Sequence, residues 1–249
     1  MQSIVLRPRK ATEIVDAAIE VYRRNPIHFL LLTSVVHVPW LIVQIMFAAG
    51  RNETEVLSMS ILVSAGTLVT YFLMSGLIVH LASELYLGRE TDAFETLRRI
   101  RRKLPVVFVA SLLQSLAIGV ALILFLFPAV WVTALMFAVI PAIVIENRSI
   151  PDAFARSRAL SQDLKMHILS ALGLVMLIRF VVQVSVALLV VAIPNPPLRY
   201  VVAAAASIVI YPLIGIAEAL VYYDARIRKE GFDIEMMAGQ GAQSIPAPA

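Results

Sequence analysis

The first candidates for chemistry are the charged residues that fall inside apolar stretches. Arg179 stands about midway along one such stretch, with Gln183 one turn further on. Glu218 lies about a turn and a half inside the end of another. His80 and Glu84 sit one turn apart near the end of a third, and Glu146 closes a fourth. A charge inside a bilayer costs roughly 3 kcal/mol or more unless it is paired, so each is a functional candidate by default. Two readings follow. The three carboxylates, at similar depth, pair with loop arginines at an interface, or the set lines a water-accessible vestibule that takes a charged headgroup or an ion. Arg179 is too deep to snorkel fully. It is expected to face the bundle and to pair with a carboxylate or with backbone carbonyls.

A second group is basic. Arg98, Arg99, Arg101, Arg102 and Lys103 form one run. In a soluble protein this run would point to nucleic acid. Here it abuts an apolar stretch, so anionic lipid headgroups are the expected partner, at about 1 kcal/mol per residue near the surface. No nucleic-acid partner is expected. Tyr222, Tyr223, Asp224, Arg226 and Arg228 read as an aromatic belt followed by a basic stop, with a turn at Gly231.

Other chemistries find no residues. The histidines His28, His37, His80 and His167 are scattered, and a metal site needs a third ligand with supporting hydrogen bonds. His28 and His167, near the entrances of apolar stretches, read as interface anchors. Cysteine is absent, which removes thiolate catalysis and thiolate metal sites. HExxH, Walker, GxSxG and GxGxxG motifs are also missing. Neither an enzyme activity nor a cofactor or metal is expected.

The elements that position these residues follow from hydropathy. Hydrophobic residues make up 60% of the chain and charged residues 15%, against about 45–50% and 25% in soluble domains. Six apolar stretches, near 27–49, 57–86, 104–126, 128–146, 167–193 and 200–222, can each cross a hydrocarbon core of about 30 Å. The second is overlong and is expected to tilt or to project at its Glu84–Leu87 end. The third and fourth are nearly continuous, and Pro128 marks the split. With these spans, 18 of the 21 basic residues fall on one side and only Arg51 and Arg199 on the other. The positive-inside rule makes the first side the cytoplasm, with both termini on it. The expectation is an all-α, multi-pass protein of the inner (cytoplasmic) membrane.

Each odd-numbered span follows a short polar segment of helical period. The apolar stripes, each on one helix face, are Ile14, Val15, Ala18, Ile19 and Tyr22; Ala93, Phe94, Leu97 and Ile100; and Ala153, Phe154, Ser157, Leu160 and Leu164. Thr12, Thr91 and Ser149 are the N-cap candidates. Residues 1–237 thus read as one six-span domain of three hairpins, each preceded by a cytoplasmic amphipathic helix. Repeats at 11–86, 91–146 and 149–223 would be parallel ones, though independent amphipathic segments can imitate the pattern. Residues 238–249 are low-complexity and read as a disordered tail. Small residues such as Ser115/Gly119 and Gly215/Ala219 suit close helix packing and self-association, or a membrane-protein partner.

Residues LRPRKATEIVDAAIEVYRRNP at the N-terminus, PAIVIE (141–146), DAFARSRAL (152–160) and above all ALVYYDARIRKEGFDIE (219–235) resemble the membrane-domain family of bacterial glycerophosphoryl diester phosphodiesterases. The resemblance implies a multi-span domain and no defined activity. Some members carry a fused catalytic barrel. No polar stretch here can hold one of about 250 residues, so the catalytic name does not carry over. The expected function is non-enzymatic: organising or handling lipid, or serving as the membrane partner of another protein. A small transporter or channel built on Glu84, Glu146, Arg179 and Glu218 is the alternative, and an intramembrane enzyme is the third reading.

Overall fold

The computed structural model describes residues 7–48 and 53–232. The expected tail at 238–249 lies outside them. The described residues form helices only: α1 (Ala11–Arg24), α2 (Pro26–Ala48), α3 (Glu53–Tyr86), α4 (Ala93–Ile100), α5 (Leu104–Leu124), α6 (Leu126–Met136), α7 (Val139–Ile145), α8 (Ile150–Ser161), α9 (Lys165–Val191) and α10 (Pro196–Glu230). Six stretches are long and apolar enough to cross a membrane: Pro26–Met46, Ser60–Tyr86, Leu104–Leu124, Leu126–Ile145, Lys165–Val191 and Pro197–Glu230. This is a multi-pass membrane protein. The last stretch runs eight residues past the end that hydropathy gave it, until Gly231, at φ +65°, stops the helix in a left-handed cap.

Local chemistry moves several boundaries. The α5–α6 break falls at Phe125, in extended backbone, and not before Pro128. Pro128 is tolerated as the third residue of α6, because N–H groups in a first turn have no helical partner anyway. A second break, at Phe137–Ala138, divides what hydropathy reads as one span. Pro141 lacks an N–H for the Phe137 carbonyl and crowds it. The groups freed there are met from outside. The Ser157 hydroxyl of α8 donates to the Leu135 carbonyl at 2.8 Å and accepts from the Ala138 N–H at 3.0 Å. The Gln114 amide donates to the Met136 carbonyl at 3.2 Å. Pro212 likewise frees the Ile208 carbonyl in α10, and the Thr33 hydroxyl donates to it at 3.2 Å.

Caps and faces also differ in part from expectation. Ser149 caps α8 through its bond from the Asp152 N–H. Asp92, not Thr91, caps α4, accepting from Glu95 N–H at 2.7 Å. Lys10, not Thr12, precedes α1, where Glu13 folds back onto the Lys10 N–H at 2.8 Å. In α4 the buried side chains are Ala93, Thr96 and Ile100. Phe94, grouped with Ala93 and Ile100 on one face, is 65% exposed while those two are buried.

The core is built where α3, α7 and α10 meet. Gly215 allows α10 to close on α3: a Cβ there would stand 2.6 Å from Ile78 Cγ2. Gly76 does the same for Val107 of α5, at 2.9 Å. Around this centre, α2 packs on α3 and α10, α5 on α3 and α6, and α9 on α10 and α6. The short helix α1 packs on α9 and α10, α4 on α2 and α3, and α8 on α6 and α7. The outward sides of α2, α5 and α9 are apolar, with Ile42, Leu116, Leu177, Phe180 and Leu188 exposed. The α5–α6 turn is exposed too: Ile123, Phe125 and Phe127 are 86%, 78% and 74% exposed, and no polar side chain other than Trp131 occurs between Ser115 and Thr133.

Interhelix contacts fix relative heights. Thr33 is level with Ile208, so Pro26, seven residues back along antiparallel α2, is level with Gly215. Gly215 packs on Ile78, and Gly76 on Val107, near the start of α5. The first residues of α2 and α5 therefore share one level with Gly215. The rest of α10, to Glu230, rises about 22 Å above it at 1.5 Å per residue.

Candidate functional site: a charged collar above a polar pair

The raised helix ends carry a collar of acids clasped by bases. Glu84, near the end of α3, accepts from Arg89 at 2.9 Å and has Arg99 of α4 at 3.8 Å. Glu146, just after α7, accepts from Arg156 of α8 at 2.7 Å and from Arg148 at 3.1 Å, with Arg226 at 3.7 Å. The Tyr222 hydroxyl also donates to it. Arg156 continues to Glu230, which Arg226 meets at 3.1 Å. Asp224, 3% exposed, accepts the Arg9 N–H at 2.6 Å, the Arg228 guanidinium at 2.6 Å, and a bond from His167 Nε2 at 2.8 Å. Arg228 also donates to the Arg9 carbonyl at 2.6 Å. In two of the clasps an acid at the end of a central helix meets an arginine of the short helix that follows; at Asp224 the bases are Arg228 of α10 itself and His167 of α9, and the residue before α1 gives its backbone N–H.

Aromatic rings brace the collar. Tyr223 shares a hydrogen bond with Ser83 at 2.5 Å and packs on Tyr86 and Phe232 with ring centroids 5.7 and 5.5 Å apart. Arg226 lies 4.1 Å over Phe232, and Arg9 5.9 Å over Tyr86. Burial opposes ionisation of Glu146, but its bonds from Arg156, Tyr222 and Arg148 outweigh that and hold its pKa below the ordinary carboxyl value. A depressed folded-state pKa contributes stability above the unfolded-state pKa of about 4.3. That contribution is lost as pH falls through the lower folded value. Thermal melting in detergent from pH 6 to pH 3 should show a loss that Glu146→Gln removes; an equal pH slope in both proteins would refute it.

The basic run divides. Lys103 turns inward and donates to the Val144 carbonyl at 2.8 Å, and burial lowers its pKa. It caps α7 instead of facing headgroups. Arg99 is tied to Glu95 at 2.6 Å as well as to Glu84. Arg98, Arg101 and Arg102 are exposed and form no ion pair among the described residues, and exposed Phe94 lies one turn before Arg98.

Arg179 and Glu218 lie below the collar. Arg179 is half-buried and forms no ion pair among the described residues; it lies 5.6 Å over the Tyr71 ring. Tyr71 packs edge-on against Tyr211 at 4.9 Å, and the Tyr211 hydroxyl donates to the Tyr71 carbonyl at 2.9 Å. His37 approaches Tyr211 at 6.0 Å. Glu218 is half-buried and likewise has no ion pair among the described residues. His167 is level with Asp224, so Arg179, twelve residues along antiparallel α9, is level with Pro212. That is only about 5 Å inside the level of Gly215. Arg179 is midway along its helix, yet shallow in the bundle, because α9 starts high in the collar.

The structure does not gather the sequence-selected residues into one place. Glu84 and Glu146 belong to separate clasps. His80 is half-buried, and its buried Nε2 has no partner among the described residues. Among those residues, no three of His, Asp and Glu converge on a metal-sized site. Sequence reasoning passed over Arg9, Tyr71 and Tyr211, and placed Ser157 on a helix face without giving it a role. One signal was available: Tyr71 and Tyr211 stand thirteen residues before Glu84 and Asp224 respectively. No family model, no curated protein and no solved structure matches this chain.

Proposed function

We propose that this chain is a non-enzymatic protein of the cytoplasmic membrane that holds anionic lipid on its basic face, with both termini in the cytoplasm. It would serve as a lipid-organising component or as the membrane partner of another protein, akin to the membrane domain of glycerophosphoryl diester phosphodiesterases. One observation carries the reading. Arg98, Arg101 and Arg102 are exposed and form no ion pair among the described residues, beside exposed Phe94, while the carboxylates of the collar are already clasped. Three such cations flanking an aromatic side chain suit an anionic headgroup layer.

The neighbour pattern supports three hairpin units, α2–α3, α5–α7 and α9–α10, each introduced by an amphipathic helix. Each short helix packs against the preceding hairpin, and α1 closes the ring by packing on the last. A transport reading gains less support, since Glu84 and Glu146 are committed to different arginines.

Changing Arg98, Arg101 and Arg102 together to Gln should remove about 3 kcal/mol of headgroup attraction, roughly a hundredfold in affinity. Native mass spectrometry of the purified protein with phosphatidylglycerol reads this directly. Undiminished phosphatidylglycerol binding would refute the proposal. Orientation has its own test. Single cysteines at Asn52 and Asn195 should react with an impermeant thiol reagent in intact cells, and one at Gln240 should not. Labelling at Gln240 would overturn the sidedness.

A further inference from the structure

We infer that Arg179 and Glu218 together form a binding site for a zwitterionic phosphodiester headgroup bearing a primary amine. Each charge is half-buried, and neither has an opposite charge within ion-pair distance among the described residues. Arg179 lies 5.6 Å over the Tyr71 ring, and Glu218 stands about two turns beyond Tyr211 on α10. They do not pair with each other: Arg179 is level with Pro212, so Glu218 stands six residues higher, about 9 Å along the axis. Two such charges of opposite sign at that spacing, near apolar surroundings, are costly unless something neutralises both.

A phosphate and an ammonium two carbons apart, each met by one side chain, bridge such a gap. The guanidinium suits the phosphate, because its planar fork gives two parallel hydrogen bonds. The Glu218 carboxylate accepts from the amine. A purely anionic headgroup would satisfy Arg179 and set a second negative charge towards Glu218. The height also fits: Arg179 lies about 5 Å inside the level at which α2 and α5 begin, within reach of phosphates in the same leaflet. The Tyr71–Tyr211 pair forms a fixed wall behind the site.

The inference rests on the lipid-binding reading only in placing these helices in a bilayer. Its residues are separate from Arg98, Arg101 and Arg102, so the two fail independently. The test is native mass spectrometry of the full chain with equimolar phosphatidylethanolamine and phosphatidylglycerol. The wild type should retain phosphatidylethanolamine preferentially. Arg179→Gln should weaken it about tenfold to a hundredfold, the ratio for one charge-assisted contact. Glu218→Gln should abolish the preference while phosphatidylglycerol binding persists. Arg179→Lys and Glu218→Asp keep the charges and should retain part of the preference, which separates binding from folding. A parallel thermal shift with soluble glycerophosphoethanolamine distinguishes a free ligand from a lipid; stabilisation by the soluble molecule alone assigns the same site to it. Equal retention of both lipids by the wild type, with no shift from the soluble molecule, overturns the inference. So does a preference unchanged in both Gln variants.

Discussion

Asp224→Ala is expected to destabilise the folded protein by about 3–5 kcal/mol, the usual cost of removing one partner from a buried charge network. Asp224 is 3% exposed and receives the Arg9 N–H, the Arg228 guanidinium and a bond from His167. Its loss strands all three. The segment before α1 is tied to α10 there, so the damage should be directional. Limited proteolysis should cut first before α1. Asp224→Asn keeps the shape and one acceptor oxygen, and should lie between wild type and Ala. A melting temperature in detergent unchanged by Asp224→Ala would show that the clasp contributes nothing.

The second large effect is expected at Ser157. Ser157→Ala removes only a hydroxyl, but that oxygen serves two backbone groups at the Phe137–Ala138 break. Two buried groups left unsatisfied should cost about 2–4 kcal/mol. Ser161 is the control. It is equally buried, but bonds only to the Arg158 carbonyl one turn back in its own helix. Ser161→Ala should cost under about 1 kcal/mol. If the two variants melt together, the hydroxyl does not hold the break.

Much of this architecture was legible in the residues, for identifiable reasons. Hydropathy located six apolar stretches because roughly 20 apolar residues in a row match the thickness of a bilayer and exceed what a buried core helix needs. Basic residues located the collar side. The break at Phe137–Ala138 was hidden, although Pro141 was visible. An apolar run reads the same whether or not its backbone is continuous. Ser157 was placed on the correct face of α8 and its role missed, because what it bonds lies about twenty residues earlier. The height of Arg179 was misjudged for a similar reason. Position within a helix is a property of sequence, while height in a bundle depends on which neighbour His167 meets. Pairing with arginines, one of the two readings of the three carboxylates, holds at Glu84 and Glu146 and fails at Glu218, which has no ion pair among the described residues. Which arginine serves which acid required the fold.

The bare apolar turn at Ile123–Phe127 bears on how the chain enters its membrane. On the proposed orientation, the other two outer loops carry Arg51 and Arg199 across the bilayer. The middle hairpin takes nothing hydrophilic with it. It can partition into lipid directly as a folded pair of helices, without the translocation that a charged loop demands. Once inserted it has no polar mooring at the far surface. Its vertical position is set from one end, by Lys103, Glu146 and the Ser157 hydroxyl. Such a segment follows the collar when the bilayer thins or thickens, whereas on the proposed orientation Arg51 and Arg199 give the other two a polar group at the far face as well.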